Sequence, residues 1–172
     1  MSYYWLENNP LYGNPLSTIG LIGEVDEIEK QEIHSFAYWN VWTLDVEPDY
    51  LQEVICFPLF CVTEKIHQRY AMYLPDVIWK RVIIFSQNIQ ELYYIPNIPK
   101  LSIEESFIHT KNLGEDVLSF RFSQQQKSLP LCFQTTEKGY PKHLIVQEEL
   151  VYSLGVRCLN GLSIHSVHIE MC

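Results

Sequence analysis

Basic charge is scarce in this chain. Twelve Lys and Arg stand against 21 Asp and Glu, a formal net charge of −9 over 172 residues. A surface of that sign repels phosphate, so nucleic acid and anionic membrane are disfavoured as partners. Long apolar runs are also lacking, and none approaches the ~18 residues of a membrane-spanning helix. The opening stretch MSYYWLENNPLYGNP has neither a basic segment nor a long apolar core, so it does not read as a signal peptide. Glycine is sparse: seven residues, none arranged as G-x-x-x-x-G-K or G-x-G-x-x-G, which removes the common phosphate loops. H-E-x-x-H and G-x-S-x-G are missing as well. The five cysteines, Cys56, Cys61, Cys132, Cys158 and Cys172, are odd in number and form no C-x-x-C pair. That pattern argues against a disulfide framework and against a thiolate metal site. The expectation is a cytoplasmic protein, not an enzyme, with no cofactor and no metal.

What the chain does hold is a unit that recurs. Pro58–Phe85 and Pro141–Ile169 both open on Pro and a short apolar run ending in Val, at Val62 and Val146. A polar residue and Glu follow in each, Thr63-Glu64 and Gln147-Glu148. Then come Ile66 and Tyr70 in the first, Leu150 and Leu154 in the second, at one constant offset. A separation of four puts each pair on one helical face. Pro75-Asp76 stops the first helix, and Gly155 stands where a left-handed cap would end the second. Val77–Phe85 and Leu162–Ile169 are β-rich. Each copy therefore reads as strand, short helix, strand. The fold class is α+β, with mixed, mainly antiparallel sheets and these two units as an internal repeat. A single domain over 1–172 is expected, with subdomains 1–100 and 101–172 as the alternative division.

Other segments fill in the order. Tyr3–Leu6, His34–Val46, Glu91–Ile98, Val117–Phe122 and Leu131–Thr135 read as strands, with Phe120 and Phe122 on one face and Arg121 on the other. Ser102-Ile-Glu-Glu105 matches a capping box and predicts a single helical turn. His165 and His168 are three apart on a strand and so face opposite ways, which does not suit a shared metal. Pairings such as His67 with Cys61 or His143 with Cys132 would suit a nucleophile, but buried thiols and surface imidazoles explain the same residues more simply.

The negative charge is concentrated. Glu24, Asp26, Glu27, Glu29, Glu32, Asp45, Glu47, Asp49 and Glu53 lie in a stretch whose one basic residue is Lys30. A solvated face is the bland explanation. The sharper one is a surface that draws in a basic protein. Among the aromatics, Trp39 and Trp42 fit a core strand. Tyr93 and Tyr94 are adjacent on a strand and must face opposite ways, so one ring is expected on the more open side.

The segments VTEKI, LYYIPNIPKLSIEES and LIVQEEL…LNGLSIHSV together resemble the immunity-protein-eleven group of bacterial polymorphic toxin systems, over roughly residues 55–170. Thr63 and Gln147 stand where that group has Ser, and Ile164 where it has Phe. The resemblance implies a protein that binds a cognate toxin and blocks its active site or substrate groove. It carries no catalytic motif. The contact surface expected for a basic toxin is the acidic stretch Glu24–Glu53 with Tyr93 and Tyr94. A small-ligand binding domain or an enzyme of unrecognised type is the alternative, and a self-associating scaffold is a third reading.

Overall fold

The computed structural model describes residues 2–9, 39–42, 52–56, 60–86, 89–103, 105–110, 116–122, 128–137, 140–155 and 161–171. They form two compact units: one from 1–7, 98–155 and 163–172, the other from 8–97 and 156–162. Among the described residues each carries one sheet and one helix. The α+β class expected from the sequence is the class observed.

The unit built mainly from residues 8–97 holds a five-stranded sheet. Its strands are β2 (Trp39–Trp42), β3 (Val54–Ile55), β4 (Cys61–Thr63), β5 (Trp79–Ser86) and β6 (Ile89–Pro96), in the order β2-β5-β6-β4-β3. All neighbours are antiparallel except β2 and β5. Helix α1 (Glu64–Tyr73) follows β4 without a break. It forms because Ile66 and Tyr70 repeat at helical spacing, and both are fully buried. Glu64 in its first turn suits the positive end of the helix dipole. The helix ends at Tyr73, just ahead of Pro75, as the sequence predicts. The Asn8 side chain also belongs to this unit. It donates to Gln52 Oε1 at 2.7 Å and to the Val54 carbonyl at 2.9 Å, and accepts from the Cys56 amide at 2.8 Å, so it serves the edge backbone around β3.

The other unit holds a seven-stranded sheet in the order β7-β10-β11-β1-β12-β9-β8. Its strands are β1 (Tyr3–Asn8), β7 (Lys100–Ser102), β8 (Glu105–Thr110), β9 (Asp116–Phe122), β10 (Cys132–Glu137), β11 (Tyr140–Gln147) and β12 (Leu162–Met171). The β10/β7 and β12/β9 pairs are parallel, whereas β1/β11, β10/β11 and β8/β9 are antiparallel. Helix α2 (Glu148–Leu154) follows β11 and buries Leu150, Val151 and Leu154. Gly155 ends it with φ 77° and ψ 161°. The positive φ was legible in the sequence. The ψ is extended rather than left-handed helical, so the chain leaves the helix directly in a conformation reserved for glycine.

This sheet is strongly curled. Phe122 on β9 and Phe133 on β10 stand four strands apart in the sheet order. In a flat sheet that separation is about 19 Å, yet their rings meet edge to face at 6.0 Å. Phe120 on β9 likewise reaches His143 on β11 at 5.3 Å. A bulge in β10 between Gln134 and Thr136 contributes to the bend. Thr135 is buried there, and its Oγ1 accepts the His143 amide at 3.2 Å. The concave face is filled by Leu101, Ile103, Leu118, Phe120, Phe122, Phe133 and Ile145, with Tyr3, Trp5, Val167 and Ile169 packed against them.

One expectation is corrected. Ser102 to Glu105 is not a helical turn: Ser102 closes β7 and Glu105 opens β8. The Ile103 amide instead donates to the Thr136 carbonyl at 3.2 Å. Pairing with β10 and β9 supplies the backbone partners that a lone turn would have left open.

Candidate functional site

Among the described residues of the five-stranded unit, a polar concavity lies where β3, β4 and β6 meet the start of α1. Glu53, Thr63, Glu64, Lys65, Gln68, Glu91 and Leu92 line an open groove of about 440 Å³. Lys65 Nζ is held by Glu53 Oε1 at 2.8 Å, and both side chains are partly exposed. Three carboxylates thus share the groove with one ammonium, which gives it a negative balance. The exposed ridge of α1 continues it, because Lys65, Gln68 and Met72 follow at helical spacing and all three are exposed. Met72 is 74 % exposed, and Tyr73 and Ile78 are exposed nearby in the chain.

Next to α1 lies an aromatic layer. His67 stacks on Tyr94 at 4.1 Å with an interplanar angle of 6°, and meets Trp79 edge-on at 4.8 Å. Burial lowers the His67 pKa; Glu64 pulls it back up and Arg81 pushes it further down. The imidazole is therefore biased towards its neutral form.

The two nominated tyrosines part company. Tyr93 is 1 % exposed and its hydroxyl donates to the Gln52 carbonyl at 2.8 Å. Burial, with Cys61, Glu91 and Glu53 adding to it, raises its pKa. Tyr93 is thus an interior residue and offers no contact surface, because its strand turns that face inward. Tyr94 is half-buried in the layer with His67. Glu53 is on the groove wall. Glu24, Asp26, Glu27, Glu29, Glu32, Asp45, Glu47 and Asp49 lie outside the described residues, as do the side chains of Trp39 and Trp42. Glu64 and Glu91 are not part of the surface expected from the sequence, since single acidic residues on a helix start and on a strand carry no distinguishing signal there.

The seven-stranded unit has a second polar group. His165 Nε2 lies 3.0 Å from Glu7 Oε1, both partly exposed. The Trp5 ring is tilted against His165 at 4.7 Å and edge-on to His143 at 4.9 Å. His168 faces the other way and sits 3.8 Å from Glu170. Among the described residues no three His, Cys, Asp or Glu converge as a metal site would require. Cys56, Cys61 and Cys132 are buried and unbridged. Burial raises the Cys61 and Cys132 thiols far above their usual range, which keeps them protonated and poorly nucleophilic.

No family model matches the chain. No curated protein and no solved structure matches it either. Among the described residues no helix is long and apolar enough to cross a membrane. The functional reading therefore rests on the geometry and on the resemblance noted in the sequence.

Proposed function

We propose that this chain is an immunity protein that binds a cognate bacterial toxin and neutralises it by covering its active site or substrate groove. The observation that carries the reading is the groove of Glu53, Glu64 and Glu91, with the exposed Met72 further along the helix that Glu64 opens. A protein partner is anchored by apolar and aromatic side chains at the centre of a contact and selected by matched charge around it. Here Met72 offers the apolar anchor on the helix whose first residue, Glu64, joins Glu53 and Glu91 in the acidic wall. The partner that fits is a basic protein, and a toxin acting on nucleic acid has a basic groove of that kind.

The test begins with the open reading frame immediately upstream, expressed with and without this protein. Growth arrest relieved by co-expression, with a complex that survives gel filtration, is the expected result. Charge reversal at Glu64 and Glu91 then slows association and flattens its salt dependence. A toxin that binds with unchanged rate to the double variant would remove this groove from the interface.

The alternative, a small-ligand domain or an enzyme of unrecognised type, is favoured by one observation, the His165–Glu7 pair beside Trp5. Quenching of Trp5 fluorescence by a small metabolite, with no toxin captured, would move the reading there.

A further inference from the structure

The two sheets share more than a strand-helix-strand step. In the five-stranded unit the order from one edge is β3-β4-β6-β5-β2, and within the seven-stranded sheet a matching run reads β10-β11-β1-β12-β9. The senses agree wherever they can be compared. β3/β4 and β10/β11 are antiparallel, as are β4/β6 and β11/β1, whereas β5/β2 and β12/β9 are parallel. In both, the strands flanking the helix are held apart by one intervening strand. That strand is β6, the next along the chain, in the first case. In the second it is β1, from before the first copy.

The match extends to single rungs. Thr63 pairs with Tyr93 and Val62 with Tyr94; Gln147 pairs with Tyr3 and Val146 with Tyr4. The same Tyr-Tyr dipeptide thus stands at the same two rungs. Both inward hydroxyls tie down the segment that leads into the hairpin. Tyr93 donates to the Gln52 carbonyl at 2.8 Å, and Tyr3 to the Leu129 carbonyl at 3.2 Å. The amide of Thr63 donates to the Glu53 carbonyl at 3.0 Å, and that of Gln147 to the Leu131 carbonyl at 2.8 Å. Thr63 and Gln147 both have extended backbones, both precede a Glu that opens the helix, and neither side chain caps it. A generic strand-helix-strand motif would fix the order of the elements. It would not fix a Tyr-Tyr pair, a hydroxyl tether and an uncapped helix start at equivalent places.

We infer that the chain is a permuted duplication of one six-element module, in which β1 is the closing strand of the second copy. The slot between β11 and β12 is then a strand-binding site. Its ligand is an extended segment with Tyr-Tyr followed by a large apolar residue, Trp5 in β1 and Ile95 in β6. The slot accepts this segment from either side of the chain.

Two full-chain experiments test this. In the first, residues 2–9 are moved to follow residue 172 through a connection of about four residues, the length of a hairpin loop. The permutant is expected to melt within about 5 °C of the parent. A control with one residue inserted between Tyr4 and Trp5 in the moved strand puts Trp5 and Leu6 on the wrong faces when Tyr3 and Tyr4 keep their rungs, and is expected to lose that transition. In the second, a protease site is placed between residues 10 and 38 and the folded protein is cleaved. A labelled peptide of residues 2–9 then exchanges into the slot. A peptide of residues 91–97 also enters, at least tenfold more tightly than its scrambled form. Permutant and control melting alike, or a β6 peptide binding no better than its scramble, would overturn the inference. Because neither readout involves a toxin, failure here leaves the proposed function standing, and the reverse also holds.

Discussion

Removing one hydroxyl, by Tyr93→Phe, measures how much the interior tether of the five-stranded unit contributes. The ring stays, so packing is preserved and only the bond to the Gln52 carbonyl is lost. That bond is short, at 2.8 Å, and the residue is 1 % exposed, so water does not readily replace the donor. The expected loss is about 1–2 kcal/mol, because a buried acceptor is left with less than it had. Tyr3→Phe breaks the longer 3.2 Å bond of a half-buried residue, and about 0.5 kcal/mol is expected. The assay is urea unfolding followed by far-UV circular dichroism, with the slope m required to stay constant so that the midpoint reports stability. The two bonds lie in different units, so the double variant is expected to show the sum. A Tyr93→Phe protein within about 0.3 kcal/mol of the parent would refute the reasoning, since it would mean that the carbonyl finds an equal partner elsewhere.

Phe133→Ala removes the ring that closes the curled sheet against Phe122, and a loss of about 3–5 kcal/mol is expected by the same unfolding assay. Gly155→Ala places a Cβ on a residue with φ 77° and ψ 161°; a loss of about 1–3 kcal/mol is expected, read as a lower thermal midpoint. His67 has a lowered folded pKa, so the unfolded chain binds the proton more tightly. Unfolding therefore takes up a proton between that lowered value and the unfolded value of about 6.5, and stability falls as pH drops through that window. His67→Phe, which keeps a ring against Tyr94, is expected to flatten stability against pH below the unfolded histidine value of about 6.5, measured by thermal melts across the range.

Much of the fold was legible because it is local. The spacing of Ile66 with Tyr70 and of Leu150 with Leu154 writes a helix into a few residues, and Phe120 and Phe122 announce a buried face by alternation alone. What was not legible is long-range. β3 is two residues long and has no periodicity to detect. The Ser102–Glu105 pattern is a true local preference, overridden by neighbours that the sequence does not name. Nothing in Tyr3–Leu6 indicates that this strand ends up between two strands from the far end of the chain. The candidate groove was legible only in part. Acidic balance pointed to a negatively charged surface, but alternation could not say which of Tyr93 and Tyr94 faces inward. Glu91 joined the groove only through the pairing of β4 with β6.

The central place of β1 in its sheet has a consequence for synthesis. Strands β2 to β6 all lie between residues 39 and 96, so the five-stranded sheet has all its strands once that stretch has been made. β1 is made before any of them, but its neighbours β11 and β12 are made last. On the ribosome Tyr3, Tyr4, Trp5 and Leu6 therefore wait without partners while most of the chain is translated, at ~5–20 residues per second. An apolar strand waiting that long is open to pairing with the wrong edge, so of these strands the one made first is also the one with the greatest need of a chaperone.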